Sequence, residues 1–184
     1  GWWIYTGIIH GSGSSNTGFS LDLSDTGERV IIGSPSISGA GSVSVHEWNG
    51  TSWSNPWNTL TGAAALDRFG KSVAINGAGT RIAIGAPDFD ENGLNATGAV
   101  QIYDLVGGSW TPVGSTIIGS NAEDQAGFEL SLSTSGDRLV MSEIGYDGAS
   151  NNLGSIRVFE YINSDWTDIT NYIEGIAAND GAGF

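Results

Sequence analysis

The 184-residue chain sets twenty acidic residues against six Lys and Arg, for a formal net charge of −14, and it contains no cysteine. A surface so acidic repels phosphate backbones and anionic bilayers, which argues against nucleic acid and lipid headgroups as partners. The lack of cysteine removes disulfide frameworks, thiolate zinc sites and cysteine nucleophiles, and the sequence shows no initiator Met, signal peptide or apolar run of membrane-spanning length.

In chain order, residues 3–9 read as an outer strand anchored by Trp2 and Trp3, and residues 10–17 as a Gly/Ser/Asn loop leading to Gly18. From there the chain repeats itself. The frame G-x-[SE]-[LV]-x-[LI] opens at Gly18, Gly70 and Gly127, and a Gly-x-Arg step recurs at Arg29, Arg81 and Arg138. A Gly followed by small and apolar residues recurs at Gly41, Gly98 and Gly154, and a Trp at Trp53, Trp110 and Trp166. Four markers that hold phase through three cycles, about 52–57 residues apart, mark tandem supersecondary units.

Within the unit 70–119, four short runs rich in Val, Ile and aromatics read as strands: 72–75, 81–86, 98–105 and 110–118. Asn76-Gly77-Ala78-Gly79 and Val106-Gly107-Gly108-Ser109 between them are turn chemistry, glycine supplying the positive φ that hairpins need. Each repeat is therefore an antiparallel four-stranded meander. Its second strand is apolar on consecutive residues (Val30-Ile31-Ile32, Ile82-Ala83-Ile84, Leu139-Val140-Met141), which implies cover on both faces. Such sheets in tandem are blades of an all-β propeller; an open solenoid or linear stack is the rival arrangement.

The blades divide the chain at 18–69, 70–126 and 127–182, with 1–17 the outer strand and loop of a preceding blade and 183–184 the start of a following one. Three blades do not close a ring of the usual 4–8. The expectation is thus one segment, 1–184, of a larger array, completed by further blades of the same polypeptide or by neighbouring copies, because open apolar strand edges are avoided.

Recurrent residues read first as structure. Glu47, Asp104 and Glu160 end the third strands and match the periodic arginines, so a cross-strand ion pair in each blade is expected. His46 takes the place of Tyr103 and Phe159 as a strand residue, and His10 lies in a loop. The periodic tryptophans pack between blades, while Trp57 and Trp2, which break the period, are candidates for stacking on sugars. No Ser-His-Asp order or G-x-S-x-G elbow is present, and no carboxylate pair is singled out for glycan hydrolysis.

Two further motifs bear on ligands. Asp88-Phe89-Asp90-Glu91-Asn92-Gly93 matches the first half of a calcium loop, with Asp88, Asp90 and Asn92 converging oxygens and Gly93 allowing the turn. The ninth and twelfth positions are Ala96 and Ala99, and the other reading is an acidic solvent-facing loop. Asn49-Gly50-Thr51 and Asn95-Ala96-Thr97 are N-glycosylation sequons in expected exposed turns.

Phe69-Gly70-Lys71-Ser72-Val73-Ala74-Ile75 followed by Ile84-Gly85-Ala86-Pro87 resembles the FG-GAP repeat, the unit of the integrin α-subunit propeller. Blade one has Gly33-Ser34-Pro35 in the GAP position, and blade three departs with Ser142-Glu143-Ile144. The resemblance implies a secreted, extracellular or cell-surface protein of about seven blades in adhesion or surface architecture. Integrin-type calcium loops between first and second strands do not carry over, since those turns are short here. The functional expectation is a non-enzymatic structural or adhesive module presenting rim loops to protein or glycan ligands; a propeller lectin is the alternative, and a glycan hydrolase a third reading.

Overall fold

A computed structural model describes residues 9, 16–36, 39–170 and 173–184. The described residues form fifteen strands and no helix. The first sheet holds β1 (Ser20–Leu23), β2 (Arg29–Ser34), β3 (Ser42–Trp48), β4 (Trp53–Ser54) and β5 (Leu60–Thr61). The second holds β6 (Ser72–Ile75), β7 (Arg81–Ala86), β8 (Ala99–Val106), β9 (Ser109–Pro112) and β10 (Ile117–Ile118). The third holds β11 (Ala126–Leu132), β12 (Arg138–Glu143), β13 (Ser155–Ile162), β14 (Asp165–Asp168) and β15 (Ile173–Glu174). Each is an antiparallel meander whose third strand pairs with two consecutive short segments. The propeller-like blade expected from the sequence is therefore present three times. The outer strand anchored by Trp2 and Trp3 and the loop holding His10 fall outside the described residues.

One expectation is corrected. Residues 110–118 are not one strand but β9 and β10, separated at 113–116 where Gly114 takes φ +69°. The break serves the next blade. Ser115 donates its backbone N–H and its hydroxyl to the Asp165 carboxylate at 2.7 and 3.1 Å. At the preceding boundary Asn58, in the matching break of the first blade, accepts the Trp110 N–H at 2.9 Å.

The core lies between blades. Ile31, Val43 and Val45 of the first blade meet Ile82, Ile84 and Trp110 of the second. Val100 and Ile102 of the second meet Leu139, Met141, Phe159 and Trp166 of the third. In β7 the consecutive Ile82, Ala83 and Ile84 are all fully buried, since a blade covers each face. In β12, Leu139 and Met141 are buried while Val140 between them is exposed, so one face of the third blade is open.

Both motif glycines act at these boundaries. A Cβ on Gly85 would stand 2.2 Å from the Gly127 carbonyl oxygen and from Ser72 Oγ, and Gly127 itself holds φ +82°. Ser72 then donates its hydroxyl to that same carbonyl at 2.6 Å, as Ser20 does to Gly70 at 2.9 Å. Parallel bridges Gly41 to Phe69, Gly98 to Ala126 and Gly154 to Ala182 repeat the approach.

The expected ion pairs form in direct register: Arg29 faces Glu47, Arg81 faces Asp104, and Arg138 faces Glu160. The inner two arginines do more. Arg29 Nη1 donates to the Gly79 carbonyl and Arg81 Nη1 to the Gly136 carbonyl, each at 2.9 Å across the blade boundary. Arg138, among the described residues, reaches only Glu160, and its side chain is 59 % exposed against 15 % for Arg81. Arg81→Met leaves Asp104 and the Gly136 carbonyl without a donor at a half-buried boundary and should cost about 2–4 kcal/mol. Arg138→Met should cost under about 1 kcal/mol, as an exposed pair does; urea unfolding of the two variants measures the contrast.

Candidate functional site

Loop 87–97 joins β7 to β8 and carries the acidic motif. Asp88 Oδ2 lies 3.4 Å from Arg68 Nη1, and Asp88 Oδ1 accepts from Gln125 Nε2 at 3.0 Å. Asp90 Oδ1 instead accepts the Ala96 N–H at 2.8 Å, across the loop. Asn92 and Gly93, at φ +52° and +81°, make the turn that brings Glu91 and Leu94 together as a bridge. The carboxylates thus serve separate partners and close a compact hairpin. Among the described residues no three His, Cys, Asp or Glu side chains gather as a metal cluster; the Asp88 and Asp90 carboxylates turn to the separate partners just named.

The sequons sit in turns. Asn49 is exposed, and its Oδ1 accepts from the Thr51 N–H, the Thr51 hydroxyl and the Ser52 N–H at 2.9–3.0 Å. Asn95 is exposed as well, but Thr97 of the same sequon is buried and donates its hydroxyl to the Phe89 carbonyl.

A second constellation runs along the inner strands, where the residue after each opening glycine is Phe19, Lys71, Phe128 or Phe184. The single lysine is buried, with Nζ 3.8 Å from the Phe128 ring centroid, 5.3 Å from that of Phe19 and 3.3 Å from Glu129 Oε1. Phe184 stacks on Phe128 at 5.5 Å. This column edges a polar recess between β1, β6 and β11 that also exposes Asp22.

The third blade's departure from the repeat pattern forms a third constellation. Glu143 is 1 % exposed. Its carboxylate accepts from Ser155 Oγ at 2.8 Å and from Arg157 Nη1 at 3.0 Å, while Arg157 Nε donates to Asp168 Oδ2 at 2.8 Å. The sequence shows Glu143 as a departure from the repeat and does not by itself show the network. The signal was an arginine at 157 on the strand that a glutamate at 143 must face.

Trp57 is half-buried, meets Trp110 edge-on at 5.9 Å and lies 4.8 Å beneath the Arg29 guanidinium. It is part of the blade boundary, with the Arg29 guanidinium over its ring; Trp2 lies outside the described residues. His46 is a strand residue as expected, with Nε2 3.1 Å from Ser44 Oγ, and burial lowers its pKa.

Two outcomes follow. Calcium at millimolar concentration should leave the melting temperature unchanged, because the loop is already closed by Arg68, Gln125 and the Ala96 N–H; a rise would show that its carboxylates regroup. Burial, outweighing the Arg157 charge and the Ser155 hydroxyl, raises the Glu143 pKa. The folded chain therefore holds this proton more tightly than the unfolded one, and stability from it is present at low pH and lost as pH rises through the folded value. Wild type should accordingly lose melting temperature relative to Glu143→Gln, which cannot titrate, from pH 4 to pH 7.

Residues 59–103 match the family model described as the FG-GAP repeat. No curated protein sequence matches the chain. Among solved structures, Kuenenia stuttgartiensis hydrazine synthase is similar at TM-score 0.53 and 11 % identity, over 90 % of this chain and 38 % of that one. A Bacteroides fragilis protein assigned as a 6-phosphogluconolactonase is similar at TM-score 0.61 and 14 % identity, over 91 % and 41 %. At such identities the likeness speaks of the fold alone, and the chain spans about two fifths of either structure. The residues that match the FG-GAP repeat model, 59–103, run from the end of the first blade through β6 and β7 into β8, within an array of propeller-like blades.

Proposed function

We propose that this chain is a non-enzymatic, extracellular structural or adhesive module that packs against further blades and presents its rim loops to protein or glycan partners. The observation that carries the reading is the outer face of the third blade. Val140, Ile156 and Val158 on that face occupy the positions of Ala83, Val100 and Ile102 in the second blade, which are fully buried by their neighbour. Completing the burial of these partly covered side chains adds a fraction of what full burial of each is worth, about 1.5–3 kcal/mol. Arg138 at the same face stands where Arg29 and Arg81 reach a carbonyl of the following blade. The shape and polarity that another blade of this repeat would meet are therefore already in place.

FG-GAP repeats occur in extracellular and surface proteins, and the strong net negative charge suits a solvent-facing exterior. The periodic acids Glu47, Asp104 and Glu160 are engaged by Arg29, Arg81 and Arg138, which favours a structural role for them. For the lectin alternative, Trp57 is engaged by Arg29 and Trp110 at the blade boundary, which favours a packing role for it.

The mass of the native particle tests the proposal, together with protease accessibility on intact source cells. A particle well above the 19.0 kDa of this chain, cleaved from outside the cell, is the expected result. A stable 19.0 kDa monomer inside the cell would overturn it.

A further inference from the structure

The three blades share a frame but fill one boundary position differently. On the face that each blade turns to its predecessor, the third blade pairs Glu143 with Ser155, Met141 with Arg157, and Leu139 with Phe159. The second blade pairs Ala86 with Ala99, Ile84 with Gln101, and Ile82 with Tyr103 at the same places. The third blade thus holds a guanidinium there, 4.8 Å from the Phe159 ring centroid, on a buried carboxylate. In the second blade the two alanines and Gln101 leave instead a cavity of about 240 Å³ between blades one and two.

Its walls are mixed in a specific way. Ala86, Ala99, Phe69 and Phe89 give apolar surface, and Asp67 and Tyr103 give polar atoms. Asp67 is the connector acid that matches Asp124. Asp124 takes the Ser120 and Asn121 N–H groups and Asn121 Nδ2 on one oxygen. Asp67 takes only the Ala64 N–H, on Oδ2, one bond against the three on Asp124, whose own Oδ1 is buried without a partner among the described residues; Asp67 differs in facing the cavity. Burial first, then the Asp90 and Asp88 charges, raise its pKa despite the Ala64 N–H, so a cation beside it would relieve both desolvation and repulsion.

We propose that this cavity binds a small alkyl cation, a guanidinium or primary ammonium on a short aliphatic chain. Its head lies at Asp67 and its stem against Ala86, Ala99 and Phe89. The chain's own third blade shows that this position of the repeat accommodates a guanidinium over an aromatic ring, and the second blade supplies the ring in Tyr103 and the carboxylate in Asp67. The cavity is smaller than the pockets that take drug-sized ligands, which suits a ligand of side-chain size.

The test titrates the chain with n-butylguanidinium and with its neutral counterpart n-butylurea, followed by amide shifts at Asp67, Ala99 and Tyr103. The cation should bind with shifts at all three and at least about tenfold more tightly than the urea, the size of a charge-assisted hydrogen bond. Asp67→Asn should erase that difference. Ala86→Glu with Gln101→Arg, which installs the third blade's own pair, should abolish binding with the fold intact, and Ala99→Val should weaken it by filling the same space. Equal binding of the urea, no shift at Ala99 and Tyr103 at saturating probe, or unchanged binding by a folded cavity-filling variant would overturn the proposal.

Discussion

The close approach of backbone to backbone at each blade boundary is the constraint from which the rest of this molecule follows. Gly85 leaves room for the Gly127 carbonyl, which the Ser72 hydroxyl then meets at 2.6 Å. With the sheets held at that distance, Arg81 spans from its own Asp104 to the next blade's Gly136 carbonyl. A methyl group at Gly85 would strike backbone atoms, which have nowhere to move without separating two sheets. The two glycines of the FG-GAP pattern are therefore two halves of one contact, contributed by successive blades.

The same constraint explains the choice of cation. A guanidinium offers a planar fork that can hold a carboxylate with Nε and Nη2 and still turn Nη1 to a carbonyl, which an ammonium cannot do with fixed geometry. Arginine accordingly occupies all three periodic positions. The one lysine stands elsewhere, between two phenylalanine rings on the inner strands, where a compact charge suffices. The large acid excess is thus only partly a surface property. Asp67, Asp124 and Asp180 each accept backbone N–H groups of their connectors, and Glu47, Asp104 and Glu160 hold the arginines.

What could be read from the sequence was whatever depends on neighbours in the chain or on exact repetition. Ser72–Ile75 and Arg81–Ala86 are the expected strands residue for residue, because alternation and flanking glycines are local signals. The arginine–acid register was legible because it occurs three times. The broken outer strand was not: residues 110–118 have strand composition throughout, and the interruption at Gly114 is fixed by Trp166 and Asp165 of the following blade. The partners of the acidic loop were not legible for the same reason. Its spacing matches a cation loop, but the partners that claim Asp88 are Arg68 and Gln125, in connectors on either side of the blade.

Recognition in such an array must come from what the frame leaves free to change. Glycine, serine and arginine at the boundaries are held by contacts that admit little else, whereas the ends of the second and third strands carry Ser34 and Ser42, Ala86 and Ala99, or Glu143 and Ser155 at equivalent places. The loops that leave these ends, 35–41, 87–98 and 144–154, differ in length and charge as well. Chemistry therefore varies at one rim while the packing that supports it stays constant. A blade can exchange a buried ion pair for other contents there at little cost to its neighbours when the space is filled, since the pair's gain and its desolvation nearly offset each other. That near balance is what allows one repeat to act as filler and the next as a binding surface.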